Sequence, residues 1–191
     1  MFMSEQSYLE NLLQIPIIYG RKISSKKDKI AFPWKNVHEN TDIFTIELEK
    51  KSEPIPVTRT LEQTRLYDYY PKSNAILVGE DKSRNERIRL FKVNLDEPLK
   101  MIPITEDDPK FFMKGGQIHP TEKWVFYDAN FDPKKNEEIE PSWIIKHNLE
   151  NGERLAIAQP KKAAWIGSRL NKKGTHLIYQ RKDYHPKGEQ V

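Results

Sequence analysis

The sequence predicts an all-β fold: a partial β-propeller of about three and a half four-stranded blades, preceded by a short N-terminal helix. Three observations predict it. A short polar turn followed by a strand of apolar and aromatic residues starts at Ser24, Tyr70, His119 and Asn171, which are 46, 49 and 52 residues apart. Alternating stretches follow the first copies, with Phe44, Ile46 and Leu48, then Phe91, Val93 and Leu95, each set on one face. A period of two marks a half-buried strand. Aromatic residues make up 10% of the chain and cysteine is absent, so any core is held by apolar packing without disulfides. A four-stranded meander cannot bury both faces alone, and stacking such units around an axis is the solution that does.

The elements follow in order. Ser4 to Gln14 reads as a helix: Ser7 and Glu10 form a capping box, Tyr8, Leu9, Leu12, Leu13 and Ile15 have helical spacing, and Pro16 ends it. Residues 1–16 are thus a helix and linker, docked either on their own domain or on another. Residues 17–191 form the partial propeller.

Blade one, about 17–60, takes strands from Ile17 to Ile23, Ile30 to Phe32, Ile43 to Leu48 and Ile55 to Thr58. Blade two, about 61–109, takes Thr64 to Tyr69, Ile76 to Val78, Leu90 to Leu95 and Leu99 to Thr105. Blade three, about 110–162, takes Phe111 to Ile118, Val125 to Tyr127, Ile144 to Leu149 and Arg154 to Ala158. Within it, Asn151-Gly152 is a two-residue hairpin signal, and Asp128 to Pro141 reads as a long loop. The fourth unit, 163–191, has strands from Ala164 to Leu170 and Leu177 to Tyr179 and is incomplete. A generic antiparallel sandwich is the alternative, since it too gives short strands with frequent turns. Strand order and turn chemistry stay in step through three units, which favours the propeller.

Composition bounds the function. The chain has 191 residues, 31% of them charged, with 32 basic against 28 acidic side chains and a net charge of +4. That is a mixed, solvated surface and not the footprint of a nucleic-acid binder. Lys161-Lys162 and Lys172-Lys173 are short basic pairs without an aromatic stacking platform. The apolar run from Ile15 to Tyr19 is far short of a membrane span, and Met1 to Glu10 carries acids with no basic leader region. The expectation is a cytoplasmic protein without a membrane or nucleic-acid partner.

No residue is assigned a catalytic, cofactor-binding or metal-binding role, and no cofactor is expected. His38, His119, His147, His176 and His185 show no metal-ligand spacing; His119 belongs to a repeat turn, and His38 and His185 to loops. Gly115-Gly116 lacks the following Lys-Ser/Thr and helix of a phosphate cradle and is read as letting an inner strand approach a narrow central channel. Gly167-Ser168 lacks the second glycine of a nucleophile elbow, so Ser168 is read as a strand serine. Tyr67, Tyr69, Tyr70, Trp124, Phe126, Trp143 and Trp165 are expected between blades.

The fourth unit stops where a third strand should begin. A sheet cut there leaves an unpaired edge, and three and a half blades fall below the usual four of a closed ring. The chain is therefore expected to be the N-terminal portion of a longer protein, with closure by dimerisation as the alternative.

The turn-and-strand element resembles the repeat of two groups: the non-catalytic propeller of the prolyl oligopeptidase family of serine peptidases, and the Tol-system propeller. Their common form is Ser-Pro-Asp-Gly-Lys followed by a strand. Here His119-Pro120-Thr121-Glu122-Lys123-Trp124-Val125-Phe126-Tyr127 keeps that form best. Ser24-Ser25-Lys26-Lys27-Asp28-Lys29 is a degraded copy, and Asn171-Lys172-Lys173-Gly174 keeps the glycine but not the proline. The opening Tyr8-Leu9-Glu10-Asn11-Leu12-Leu13-Gln14-Ile15-Pro16 is similar to the segment leading into blade one of the peptidases. The resemblance implies a propeller that gates peptide substrates into an α/β-hydrolase domain of the same parent chain. That domain would carry Gly-x-Ser-x-Gly, a motif this chain lacks. A non-enzymatic scaffold for protein partners, similar to the Tol-system propeller, is the second reading. A propeller enzyme with a channel-bound site, such as a lactonase or glycosidase, is a third.

Overall fold

The structure, a computed structural model, describes residues 15–35, 37, 40–50, 52–162 and 167–180. The predicted N-terminal helix, His38, Trp165, His185 and the chain end after residue 180 lie outside the described residues.

Fifteen strands occur among the described residues and no helix does. The first sheet holds β1 (Ile17–Ile18), β2 (Lys22–Ile23), β3 (Lys29–Lys35), β4 (Asp42–Glu47) and β5 (Ile55–Pro56). The second holds β6 (Arg65–Tyr69), β7 (Ala75–Glu80), β8 (Arg89–Asn94) and β9 (Met101–Pro103) in that order. The third runs β10 (Met113–Ile118), β11 (Trp124–Asp132), β12 (Glu137–Asn148), β13 (Arg154–Ala158). The fourth pairs β14 (Ser168–Leu170) with β15 (Leu177–Tyr179). Every pairing is antiparallel between sequence neighbours, except that β1 and β2 both pair with β3.

Two cores lie between the blades. Ala31, Ile43, Val57, Tyr69, Ile76, Val78 and Val93 join the first sheet to the second. A larger core joins the second to the third and includes Leu77, Ile88, Leu90, Phe111, Val125 and Tyr127. Strand β7 explains the arrangement. Alternate side chains point to opposite faces of a strand. Ile76 and Val78 thus pack toward blade one while Ala75 and Leu77 pack toward blade three. Its run of apolar residues is a strand buried on both faces, whereas outer strand β13 alternates half-buried and exposed residues. Fully burying a side chain such as Ile76 or Leu77 contributes roughly 1.5–3 kcal/mol.

Two expectations are corrected. The stretch from Asp128 to Pro141 is not a loop: β11 and β12 continue through it, with Phe131 opposite Glu138 and Asp132 opposite Glu137, leaving a turn at residues 133–136. Phe131 gives the extension an apolar anchor, stacked on Phe111 with ring centroids 4.3 Å apart. The strand expected from Ile17 to Ile23 is broken around Gly20, whose φ is +65°. Pro33 falls opposite that break, where its missing N–H costs little.

Candidate functional site: the groove along the inner strands

The first strand of each of the first three sheets carries a local irregularity. Register slips by one residue between Ile18 and Lys22, between Leu66 and Asp68, and between Lys114 and Gln117. A bulge bends its strand and re-aims the side chain that follows. The residues directly after the three slips are Lys22, Asp68 and Gln117, each two positions before its repeat turn, and Arg169 holds that position in the fourth unit.

These side chains tie one blade to the next. Asp68 Oδ2 accepts the N–H of Ile118 at 2.9 Å, and Lys22 Nζ lies 4.0 Å from Asp68 Oδ1. Gln117 Oε1 accepts the N–H of Leu170 at 2.8 Å, while its Nε2 donates to the carbonyl of Ser168 at 2.6 Å. Burial raises the pKa of Asp68, against the pull of the Ile118 N–H and Lys22.

A groove of about 640 Å³ runs beside this line, with Lys22, Lys114, Gln117, Asp128, Ser168 and Arg169 among its walls. Lys22, Gln117 and Arg169 also line a second groove of about 910 Å³ that reaches the repeat turns. Asp128 is buried, and its carboxylate accepts the Ser168 hydroxyl at 2.9 Å. Burial pushes the Asp128 carboxyl up to about 7, with the Ser168 hydrogen bond and the charges of Lys114 and Arg169 pulling the other way. Ser168 is therefore a strand residue in β14, as its sequence context suggested, but it also helps to seat β14 on blade three.

Glycines set how closely the blades approach. A Cβ on Gly116 would stand 2.7 Å from Leu77 Cδ2, so the missing side chain admits blade two. The close approach expected at Gly115-Gly116 is therefore toward the neighbouring blade. Gly115 has φ +78° and open space where a Cβ would lie, leaving bare backbone on the groove wall.

The other singled-out residues have structural surroundings. His119 Nδ1 and Thr121 Oγ1 lie 2.7 Å apart, and its Nε2 is 3.3 Å from the carbonyl of Gly174 in the next repeat turn. His147 is buried on β12, and desolvation followed by the nearby Arg154 charge pushes its pKa down to about 4. Its Nδ1 lies 3.3 Å from the hydroxyl of Tyr127. His176 is exposed, with Nδ1 2.9 Å from Thr175 Oγ1. Tyr67, Tyr69, Tyr70 and Trp143 belong to or pack against the inter-blade cores. Trp124 is instead covered by Lys146, whose Nζ is 3.9 Å from the ring centroid. The paired lysines at 161–162 and 172–173 are exposed.

Sequence reasoning missed the column Lys22, Asp68, Gln117, Arg169. Its signal is positional: aligning the units on their turns places a long polar or charged side chain at the same spot four times. Asp128 and Lys114 offered no such repeat, because the hydrogen bond of Asp128 to Ser168 and the approach of Arg169 depend on how the fourth unit sits against blade three. Among the described residues, no group of three or more His, Asp or Glu side chains is arranged to hold a metal ion, and no helix is long and apolar enough to cross a membrane.

No family model matches the chain, and no curated protein does. Solved structures do. TolB from Acinetobacter baumannii superposes with a TM-score of 0.63 at 11% identity, covering 86% of this chain and 37% of that one. Putative TolB from Agrobacterium tumefaciens gives 0.55 at 15% identity, over 73% of this chain and 48% of that one. Prolyl oligopeptidase B from Galerina marginata gives 0.62 at 12% identity, over 87% of this chain and 23% of that one. The chain thus spans less than half the length of each of these proteins. At such identities the likeness establishes architecture: the chain is a series of antiparallel blades with the fold of the propellers in TolB and prolyl oligopeptidase.

Proposed function

We propose that the chain is the N-terminal propeller region of a cytoplasmic serine peptidase similar to prolyl oligopeptidase. In this reading it gates peptide access to an α/β-hydrolase domain of the same parent polypeptide. The superposition on prolyl oligopeptidase B over 87% of the chain carries the reading. The opening sequence from Tyr8 to Pro16, which resembles the segment leading into blade one of the peptidases, agrees with it. The parent would cleave peptide bonds by acyl transfer at a serine outside these residues. The blades would do the sieving, because a groove walled by inter-blade contacts admits an extended chain and excludes a folded one.

The test is labelling of the full-length gene product with a serine-directed phosphonate, followed by digestion assays. Expected are labelling at a serine beyond Val191 and cleavage of short peptides but not of folded proteins. A gene product without a Gly-x-Ser-x-Gly segment, or one that the phosphonate does not label, overturns the reading.

The match to TolB over 86% of the chain supports a second reading, a non-enzymatic propeller that binds a protein partner. A stable partner that co-purifies with an unlabelled gene product favours it.

A further inference from the structure

We propose that the groove along the inner strands is a carboxylate-binding site for extended peptides, with Lys114 and Arg169 holding the anion. The inference rests on the reading of the chain as a peptide gate and names the chemistry that the gate selects.

The charge balance of the groove carries it. Lys22 from blade one, Lys114 from blade three and Arg169 from the fourth unit all line the groove. Lys22 is engaged, 4.0 Å from Asp68. Among the described residues, no carboxylate comes within 4.0 Å of the Lys114 amine or the Arg169 guanidinium, and both side chains are exposed. The one carboxyl group lining the same groove, Asp128, accepts the Ser168 hydroxyl. Burial keeps that carboxyl partly protonated at neutral pH. Two cations therefore face solvent in a concave site lined by a single carboxyl group that is only partly ionised. In such a site field lines concentrate and an incoming anion is favoured.

Shape points to a peptide as the carrier of the anion. The groove of about 640 Å³ shares Lys22, Gln117 and Arg169 with the neighbouring groove of about 910 Å³. The two together exceed the space a small inorganic ion fills. Leu66, Tyr67, Ile178 and Tyr179 give the groove apolar walls for side chains, and Gly115 leaves backbone open to close approach. The carboxylate has two possible sources, an acidic side chain or a chain terminus, and the chemistry is shared.

The test is fluorescence anisotropy on the full 191-residue chain with three labelled hexapeptides. The first contains Glu residues and ends in an amide. The second replaces Glu with Gln and keeps the amide. The third is the Gln peptide with a free C-terminus. We expect the first or the third to bind about tenfold more tightly than the second, and to lose most of that margin in molar salt. Tighter binding of the first assigns the anion to acidic side chains, and of the third to the terminus.

Lys114→Gln and Arg169→Gln are each expected to weaken the favoured peptide about three- to tenfold. Lys114 is exposed, so K114Q should leave Tm unchanged and isolates binding from folding. Around the Asp128 carboxyl stand Lys114 of β10 and Ser168 and Arg169 of β14, with Tyr67 of β6 in the same groove. Ionised Asp128 repels a carboxylate, so the favoured peptide should bind more weakly at pH 8 than at pH 6, and Asp128→Asn should flatten that difference. Equal affinity for all three peptides, or no effect of either K114Q or R169Q, overturns the proposal. Phosphonate labelling does not involve these side chains. Lost selectivity with labelling intact removes only the anion site; selectivity without labelling removes only the peptidase reading.

Discussion

Asp68 and Gln117 occupy the same position in consecutive repeats, and each accepts a backbone N–H from the inner strand of the following blade. Asp68 takes that of Ile118 at 2.9 Å and Gln117 that of Leu170 at 2.8 Å. The shared cause is the bulge just before each residue, which hands the next side chain to the neighbouring blade. In blades two and three the position carries an acceptor, a carboxylate in one and an amide oxygen in the other, and either suits the N–H it meets. Gln117 adds a donor, which its amide uses on the Ser168 carbonyl.

Gln117→Leu should therefore loosen the fourth unit from the third. It leaves the N–H of Leu170 and the carbonyl of Ser168 without these partners, a cost of about 1–3 kcal/mol. Urea denaturation should show the loss, and hydrogen exchange should show faster exchange at Leu170. Unchanged exchange there would remove Gln117 as the tether.

Gly116→Ala should destabilise the contact between blades two and three by about 1–3 kcal/mol, since its Cβ would meet Leu77 Cδ2 at 2.7 Å. Shortening the neighbour relieves the clash. In a double-mutant cycle, Gly116→Ala with Leu77→Val should cost less than the two single changes added together. Simple additivity would mean that the backbone, and not Leu77, absorbs the new methyl.

Arg154 holds Glu106 across the same pair of blades through two nitrogens, at 2.8 and 2.5 Å, with its guanidinium carbon 5.6 Å from the Phe111 ring centroid. Burial works against the Glu106 carboxylate, yet the Arg154 hydrogen bond and charge hold its pKa below the ordinary value. Arg154→Lys loses the planar fork and should cost about 1 kcal/mol; Arg154→Ala should cost about 1–3 kcal/mol, kept modest by the partial exposure of Glu106. Chemical denaturation of both variants checks the order. Equal losses would assign the whole effect to the guanidinium fork, since lysine keeps the aliphatic stem and the charge.

His147 and Asp128 give stability two opposed pH dependences. His147 titrates at about 4 in the folded chain, below its ordinary 6.5, so the unfolded chain takes up the proton first. Its contribution is intact above pH 6.5 and is lost as pH falls toward 4, by about 3 kcal/mol. Asp128 titrates at about 7, above its ordinary 3.8, so its contribution is intact below pH 3.8 and is lost as pH rises through 7, by about 4 kcal/mol. Between pH 4 and 6.5 the two oppose each other. Thermal melts should show His147→Gln losing stability with rising pH across that window, and Asp128→Asn gaining it. At pH 8, Asp128→Asn should be more stable than the parent chain. Parallel pH profiles for the two variants would contradict both assignments.

The strands were legible because their signals are local. The period-two patterns around Phe44 and Phe91, the Asn151-Gly152 hairpin and the turn at His119 each announce an element without reference to distant residues. The extended hairpin was hidden because Asn130 and Asp132 read as turn chemistry continuous with the actual turn at residues 133–136. Pairing with β12 and stacking of Phe131 on Phe111 override that local preference. The groove was hidden for a different reason: Lys114 and Asp128 of blade three meet Arg169 only when the fourth unit packs against that blade.

By itself the sequence determined the repeat, the antiparallel meander within each unit and the apolar faces that require neighbours, since these depend on residues close along the chain. Only the tertiary structure decided which side chains cross between blades, which carboxyl is starved of water and where two cations face solvent. Those properties arise from desolvation and proximity between residues some 40 to 55 positions apart, and no local pattern encodes them.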